Sequence, residues 1–169
     1  EDLLWYPYHF TSSDVWFWSR AIFTSGTLSY TMPITLGVIA PSSTQAIVRG
    51  EIFSRYNISH KSTIYLNSTP IVAPTWTGVT RYIFEQPIDI SLLQNGSNEL
   101  RWDPMIVSGA EYLLFDRYQI TYDRQFIAVD YRLEFNYSEP GSWQFQVAGL
   151  SSANAYSYDV TDSLQPKKI

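Results

Sequence analysis

Leu92-Leu-Gln-Asn95-Gly96-Ser-Asn98-Glu-Leu100-Arg-Trp102, followed by Tyr112-Leu-Leu-Phe-Asp116-Arg-Tyr118-Gln-Ile120-Thr-Tyr122-Asp-Arg124, decides the fold. In the first run an Asn95-Gly96 reversal precedes a strand whose Leu100 and Trp102 point inward while Glu99 and Arg101 point out. The second run alternates Tyr118, Ile120 and Tyr122 against Gln119, Thr121 and Asp123. Both read as half-buried antiparallel strands. Leu113 and Phe115 have the opposite parity to Tyr118 and Ile120, so a bulge near Asp116 is needed to reconcile the two registers. The carboxylate at that bend is expected to be structural, accepting hydrogen bonds from backbone amides or from Arg101 or Arg117.

The same two-residue period recurs on either side. Leu28, Tyr30, Met32, Ile34 and Leu36 share a face, and Pro33 among them places that strand at a sheet edge or a bulge. Residues 45–53 form a strand with apolar side chains of both parities, as expected under cover on both sides. Residues 63–67, 81–85 and 99–103 are further strands, and residues 89–94 fit a single helical turn capped by Asp89. Tyr131-Leu133-Phe135 and Trp143-Phe145-Val147, around Glu139-Pro140-Gly141, predict a hairpin. Tyr156-Tyr158-Val160 predicts a last strand before a polar tail over 162–169.

About ten short strands with regular turn signals predict an all-β fold, a jelly-roll β-sandwich; the motifs of the middle of the chain also resemble those of galactose-binding-like and carbohydrate-binding-module-like jelly rolls. Its extent is read as one domain over 1–169, with a jelly-roll core at about 14–124, additional strands at about 129–161, and a tail leading to a further domain. A chain of 169 residues that is 45% hydrophobic can fill such a core. Aromatic residues make up 17% and charged residues 16%, which fits inner faces built from rings and outer faces of Ser, Thr and Gln.

Net charge of −5, with eleven basic residues scattered along the chain, argues against nucleic acid and anionic membranes as partners. No apolar run approaches the roughly 20 residues that span a bilayer. Glu1 opens the chain without signal-peptide features, so a mature or excised segment is expected. Without cysteine, thiol catalysis, thiolate metal sites and disulfides are excluded. Four of the six Asn residues (Asn57, Asn67, Asn95, Asn136) head Asn-x-Ser/Thr triplets, where chance gives about one. Co-occurrence of these residues in turns is the favoured reading.

The two histidines, His9 in an aromatic N-terminal segment and His60 at the start of a loop, lie in no nucleophile or zinc pattern. No cofactor is expected. A structural calcium on Asp14, Asp130, Asp159 or Asp162 is the one ion the oxygen ligands leave open, with solvated turn carboxylates preferred. For sugar stacking the best ring is Trp76, read as part of a Pro74-Thr-Trp-Thr-Gly78 loop, with Asn67 and Tyr82 completing the carbohydrate-binding candidate. Trp5, Trp16 and Trp18 are other rings near the start; Trp16 and Trp18 are assigned a structural role.

Asp14-x-Trp16-Phe-Trp18, His60-x-x-x-Ile64-Tyr-Leu-Asn67, Trp76-x-Gly78, Leu92-Leu-x-x-Gly96-x-Asn98-x-Leu100, Asp116-x-Tyr118-x-Ile120-x-Tyr122-x-Arg124 and Tyr158-Asp-Val-Thr-Asp162-x-x-x-Pro166 together resemble the β-sandwich segment preceding the catalytic domain in gingipain-like peptidases of family C25, PorU-like proteins included. The resemblance implies a secreted or surface-attached bacterial protein whose peptidase uses a Cys-His pair. That pair has no counterpart here. The expectation is a non-catalytic accessory domain that docks against or positions a neighbouring peptidase domain, with a carbohydrate-binding module, and hence a glycan partner, as the alternative.

Overall fold

The computed structural model describes residues 16–24, 29–106, 109–137, 140–151 and 155–169, together with the backbone of residues 4–5. The chain falls into two compact units, Glu1–Asp123 and Arg124–Ile169. Each is treated by itself.

The first unit is an antiparallel β-sandwich. Its strands are β1 (Leu4–Trp5), β2 (Trp16–Phe17), β3 (Ser19–Phe23), β4 (Tyr30–Leu36), β5 (Gln45–Ser54), β6 (Ser59–Leu66), β7 (Thr69–Val72), β8 (Thr75–Thr77), β9 (Arg81–Asp89), β10 (Gly96–Pro104) and β11 (Glu111–Thr121). One sheet runs β4-β10-β6-β7, with β8 pairing the first half of β6; the other runs β3-β11-β5-β9. From β3 onwards the chain crosses repeatedly between sheets, as in a jelly roll. β1 and β2 form a small separate pair.

Alternation puts Met32, Leu36, Ile64, Leu66, Leu100 and Trp102 of the first sheet against Phe23, Val48, Ile52, Phe84, Leu113 and Phe115 of the second, all buried. Each large side chain so removed from water stabilises the fold by about 1.5–3 kcal/mol before chain entropy is counted. β4 is an edge strand, as Pro33 requires. Gly50 lets the two layers close. A Cβ there would lie 2.3 Å from the Phe84 ring.

The covered strand is β5, and the cover is uneven. Ala46 and Val48 alternate with exposed neighbours, whereas Gly50 to Ser54 are buried on both faces. On the outer face Phe53 joins Phe17, Tyr112 and Leu114 in a second small core, so β2 supplies the lid. The expected bulge is present: the β11–β5 register shifts between Phe115 and Arg117, so that it skips Asp116. Asp89 caps a single 3-10 turn at Ile90–Leu92 through Ser91 N–H (2.8 Å).

The second unit departs from its pattern. Among its described residues the ladders reduce to β12 (Tyr158–Asp159) with β13 (Lys167–Lys168) and two isolated bridges, Ile127 with Ala148 and Val129 with Arg132. The expected strands at 131–135 and 143–147 do not form, and Val160 lies outside β12. Alternation alone is insufficient when nothing buries the apolar parity: Ala128 is the one buried apolar residue described in this unit.

Candidate functional site

The residues singled out by sequence occupy two structural nodes at opposite ends of β6. At its start, His60 is fully buried in the strand rather than in a loop, and β8 pairs with it through Trp76. Trp76 is therefore a strand residue, in correction of the loop reading. Pro and Gly around a three-residue strand produce the same sequence signature as a turn. Its indole stacks on His60 (centroids 5.0 Å apart) and on Tyr82 (4.8 Å). The indole edge meets Trp102 at 81°, and Nε1–H donates to Ser54 Oγ at 3.1 Å. Ser54 Oγ–H in turn reaches the carbonyls of Gly78 and Thr80. Burial pushes the Tyr82 hydroxyl up from its ordinary range.

His60 is also spent. Its Nε2 lies 3.0 Å from the Tyr56 carbonyl and 3.1 Å from that of Gly78, and carbonyls only accept, so Nε2 carries a proton. Nδ1 lies 2.6 Å from buried Glu111, with a second proton between them. Glu111 Oε1 accepts the Tyr112 amide at 3.0 Å. No lone pair of the imidazole is left for a metal or for base chemistry, and no part of the ring touches solvent.

At the far end of β6, about 20 Å away at ~3.3 Å per residue, Asn67 is locked in a left-handed turn (φ 47°). Its amide donates to Leu92 O (2.8 Å) and Asn98 Oδ1 (2.7 Å), and its Oδ1 accepts the Glu99 amide (2.9 Å). Buried Asn98 donates to the carbonyls of Gln94 and Gly96 and accepts from the Gln94 amide. The Leu-Leu-x-x-Gly-x-Asn-x-Leu signature is thus a clamp on the turn before β10, with Gly96 at φ 91°. Trp76 and Tyr82 come together; Asn67 does not join them.

On the outer face of the second sheet, Asp116 pairs with Arg81 at 2.7 Å, not with the expected Arg101 or Arg117. Arg81 also binds Glu51, and Arg117 holds Glu51 from the other side at 3.0 Å. The bulge turns Asp116 towards β9, and Arg81 there was not identifiable from sequence spacing. Burial alone would push the Glu51 carboxyl up; hydrogen bonds and charge from Arg81, then Arg117, outweigh it and hold the carboxyl below its usual range. Burial opposes the Arg81 charge, and Glu51 and Asp116 more than restore it. Trp18 stands edge-on to Tyr118, 5.4 Å away, and Trp16 is exposed. His9, Asp14 and the Trp5 side chain lie outside the described residues. Asp159 and Asp162 each accept an amide within their own turn, from Thr161 and Leu164, and no group of three or more His, Asp or Glu among the described residues is placed to hold a metal.

The second unit carries a cluster of aromatic rings. Phe126, Phe135 and Phe145 contact one another with centroids 4.7–5.5 Å apart, and Tyr137 packs edge-on to Trp143 (4.9 Å) and Phe145 (5.3 Å). Most of these rings are open to water: Trp143 is 53% exposed, Tyr137 47% and Phe135 40%, and Tyr131 and Tyr156, outside the cluster, are more exposed still. Their alternation in sequence predicts strands of a hairpin, and strands do not form there.

No protein-family model matches the chain, and no curated protein matches it. Among solved structures it is similar to dimeric latent PorU from Porphyromonas gingivalis (9% identity, TM-score 0.45), over 59% of this chain and 10% of that one. It is also similar to the EclA C-terminal domain, a sugar-binding protein (9% identity, 67% of this chain and 84% of that one, TM-score 0.48). A third is a family 35 carbohydrate-binding module from an environmental isolate (11% identity, 57% and 70%, TM-score 0.41). This chain thus spans about a tenth of the PorU structure.

Proposed function

We propose that the chain is a non-catalytic accessory β-sandwich of a secreted or cell-surface bacterial protein of the C25 type, and that it works by docking against a neighbouring peptidase domain. The observation that carries this reading is the contrast between spent and open side chains. His60, Glu111, Ser54, Asn67 and Asn98 have their hydrogen-bonding capacity directed at the scaffold. Among the described residues of 124–169, Tyr131, Tyr137, Trp143 and Tyr156 are exposed and Ala128 is the one buried apolar side chain. A set of rings left this open is the composition of an interface waiting for a partner.

The carbohydrate-binding alternative needs an open ring face for a pyranose. Trp76 is engaged by His60 and Tyr82, so Tyr137 and Trp143 are the rings on which that alternative now rests. One pair of experiments separates the readings. Size-exclusion co-elution of the full chain with a gingipain-like catalytic domain encoded beside it is expected, and is lost in Tyr137→Ala/Trp143→Ala. Binding on a glycan array, lost in the same variant and without co-elution, would replace docking by sugar recognition.

A further inference from the structure

The aromatic contacts of the second unit follow a register although the backbone ladder is missing. Val129 and Arg132 exchange two hydrogen bonds, both 3.0 Å, across Asp130 and Tyr131, whose φ values of 51° and 63° are those of a two-residue hairpin turn. Three steps outward on each arm, Phe126 and Phe135 stand opposite, and their rings meet at 4.7 Å. Val129 and Arg132 form a hydrogen-bonded pair, so Phe126 and Phe135 fall at a non-hydrogen-bonded pair, where facing side chains approach most closely. The next segment obeys the same rule. Phe135 meets Phe145, and two steps forward against two steps back Tyr137 meets Trp143, which is the antiparallel relation.

The third segment is anchored as well. Ala148 exchanges hydrogen bonds with the 126–128 backbone, its carbonyl accepting from Ala128 N–H (2.8 Å) and its amide donating to Phe126 O (2.9 Å). Gly149 lies so close that a Cβ would sit 2.7 Å from Ala128 O. Side chains and one turn therefore fix how three segments align, while the ladder beyond Val129 and Arg132 stays open.

We propose that residues 126–135 are a preset hairpin, its register encoded by Phe126, Phe135 and the Asp130-Tyr131 turn, and that its ladder closes only when the ring face is covered. The physical reason is that a short hairpin in water gains too little from half-exposed rings to offset ordering its backbone, whereas covering the rings supplies the missing burial. The agent of closure rests on the docking reading above; the register does not. The unit would then be an order-on-docking element, rigid only in the assembled protein.

The chain lacks cysteine, so register can be read directly with introduced thiols. Ala128→Cys/Leu133→Cys occupies the neighbouring non-hydrogen-bonded pair, where Cα atoms of a closed ladder come within disulfide reach; Ile127→Cys/Leu133→Cys is one residue out and faces opposite sides. Under mild oxidation the first pair is expected to form its intramolecular disulfide about tenfold faster than the second. In the unmodified full chain, amide exchange across 126–135 is expected to be fast beside that of β5 and β11, and to slow once the 128–133 disulfide forms. Equal oxidation of the two pairs overturns the register. Wild-type amides at 127 and 134 as protected as those of β5 overturn the open ladder, whether or not either variant folds. Loss of peptidase co-elution with the register intact would sink the docking reading alone.

Discussion

The two units carry similar side chains to different ends. In residues 16–123, Trp76, Trp102 and Phe115 pack edge-on within one core, with centroids 5.9–6.3 Å apart; in residues 124–169, Phe135, Tyr137 and Trp143 make closer ring contacts, at 4.9–5.3 Å, and stay exposed. The difference is the second layer. The sandwich closes one sheet over another on its rings, whereas among the described residues of the second unit Ala128 is the one buried apolar side chain. The contrast teaches that ring contacts by themselves do not make a core.

The largest test of that contrast is a matched pair of truncations. Trp102→Ala removes a ring packed against Trp76, Phe84 and Phe115, with Nε1–H bonded to buried Ser62, and is expected to cost about 3–5 kcal/mol. Trp143→Ala should stay within about 0.5 kcal/mol of wild type. Urea unfolding followed by tryptophan fluorescence and far-UV circular dichroism measures both; equal costs would erase the distinction between the units.

Next in size is the buried pair at the start of β6. Glu111→Ala strands the His60 ring between carbonyls and an emptied site and is expected to cost about 3 kcal/mol. The same urea midpoints measure it, and an unchanged midpoint would mean that water replaces the carboxylate.

Gly50→Ala drives a methyl into the Phe84 ring and should cost about 1–3 kcal/mol. Phe84→Leu ought to relieve part of it, giving a non-additive double-mutant cycle. Additivity would show that the two layers adjust independently.

The smallest effect concerns acid. Glu51 has its carboxyl depressed in the folded protein by Arg81 and Arg117, against the opposing cost of burial. A carboxyl depressed on folding stabilises above its unfolded value, about 4.3 for Glu, and that stabilisation is lost as pH falls through the lower folded value. Wild type should therefore lose stability below about pH 5, and Glu51→Gln should start about 1 kcal/mol lower at neutral pH with a shallower acid limb. Thermal midpoints from pH 7 to 3 decide it; parallel curves would remove Glu51 from the account.

Much of the sandwich was legible because it follows from parity. The switch between Leu113 and Tyr118 calls for the bulge at Asp116, and Pro33 calls for an edge or a bulge, of which the strand takes the edge. Partners across sheets were not legible. Nothing in the spacing joins Asp116 to Arg81 or His60 to Glu111, because each contact depends on which strands become neighbours. Trp76 was misplaced because a three-residue strand between Pro74 and Gly78 carries turn residues on both sides. The hairpin over 131–147 was misread for the opposite reason: its alternation is real, but a period reports which side could be buried and says nothing of whether anything covers it.

On the docking reading proposed above, the sandwich is scaffold and the exposed rings of 124–169 make the contact. Isothermal titration of a gingipain-like catalytic domain, the partner proposed above, into the full chain tests it most directly, comparing wild type with Tyr137→Ala/Trp143→Ala. The account predicts at least about a tenfold loss of affinity, roughly 1.4 kcal/mol, with an unchanged urea midpoint. Undiminished binding by the double variant would contradict it.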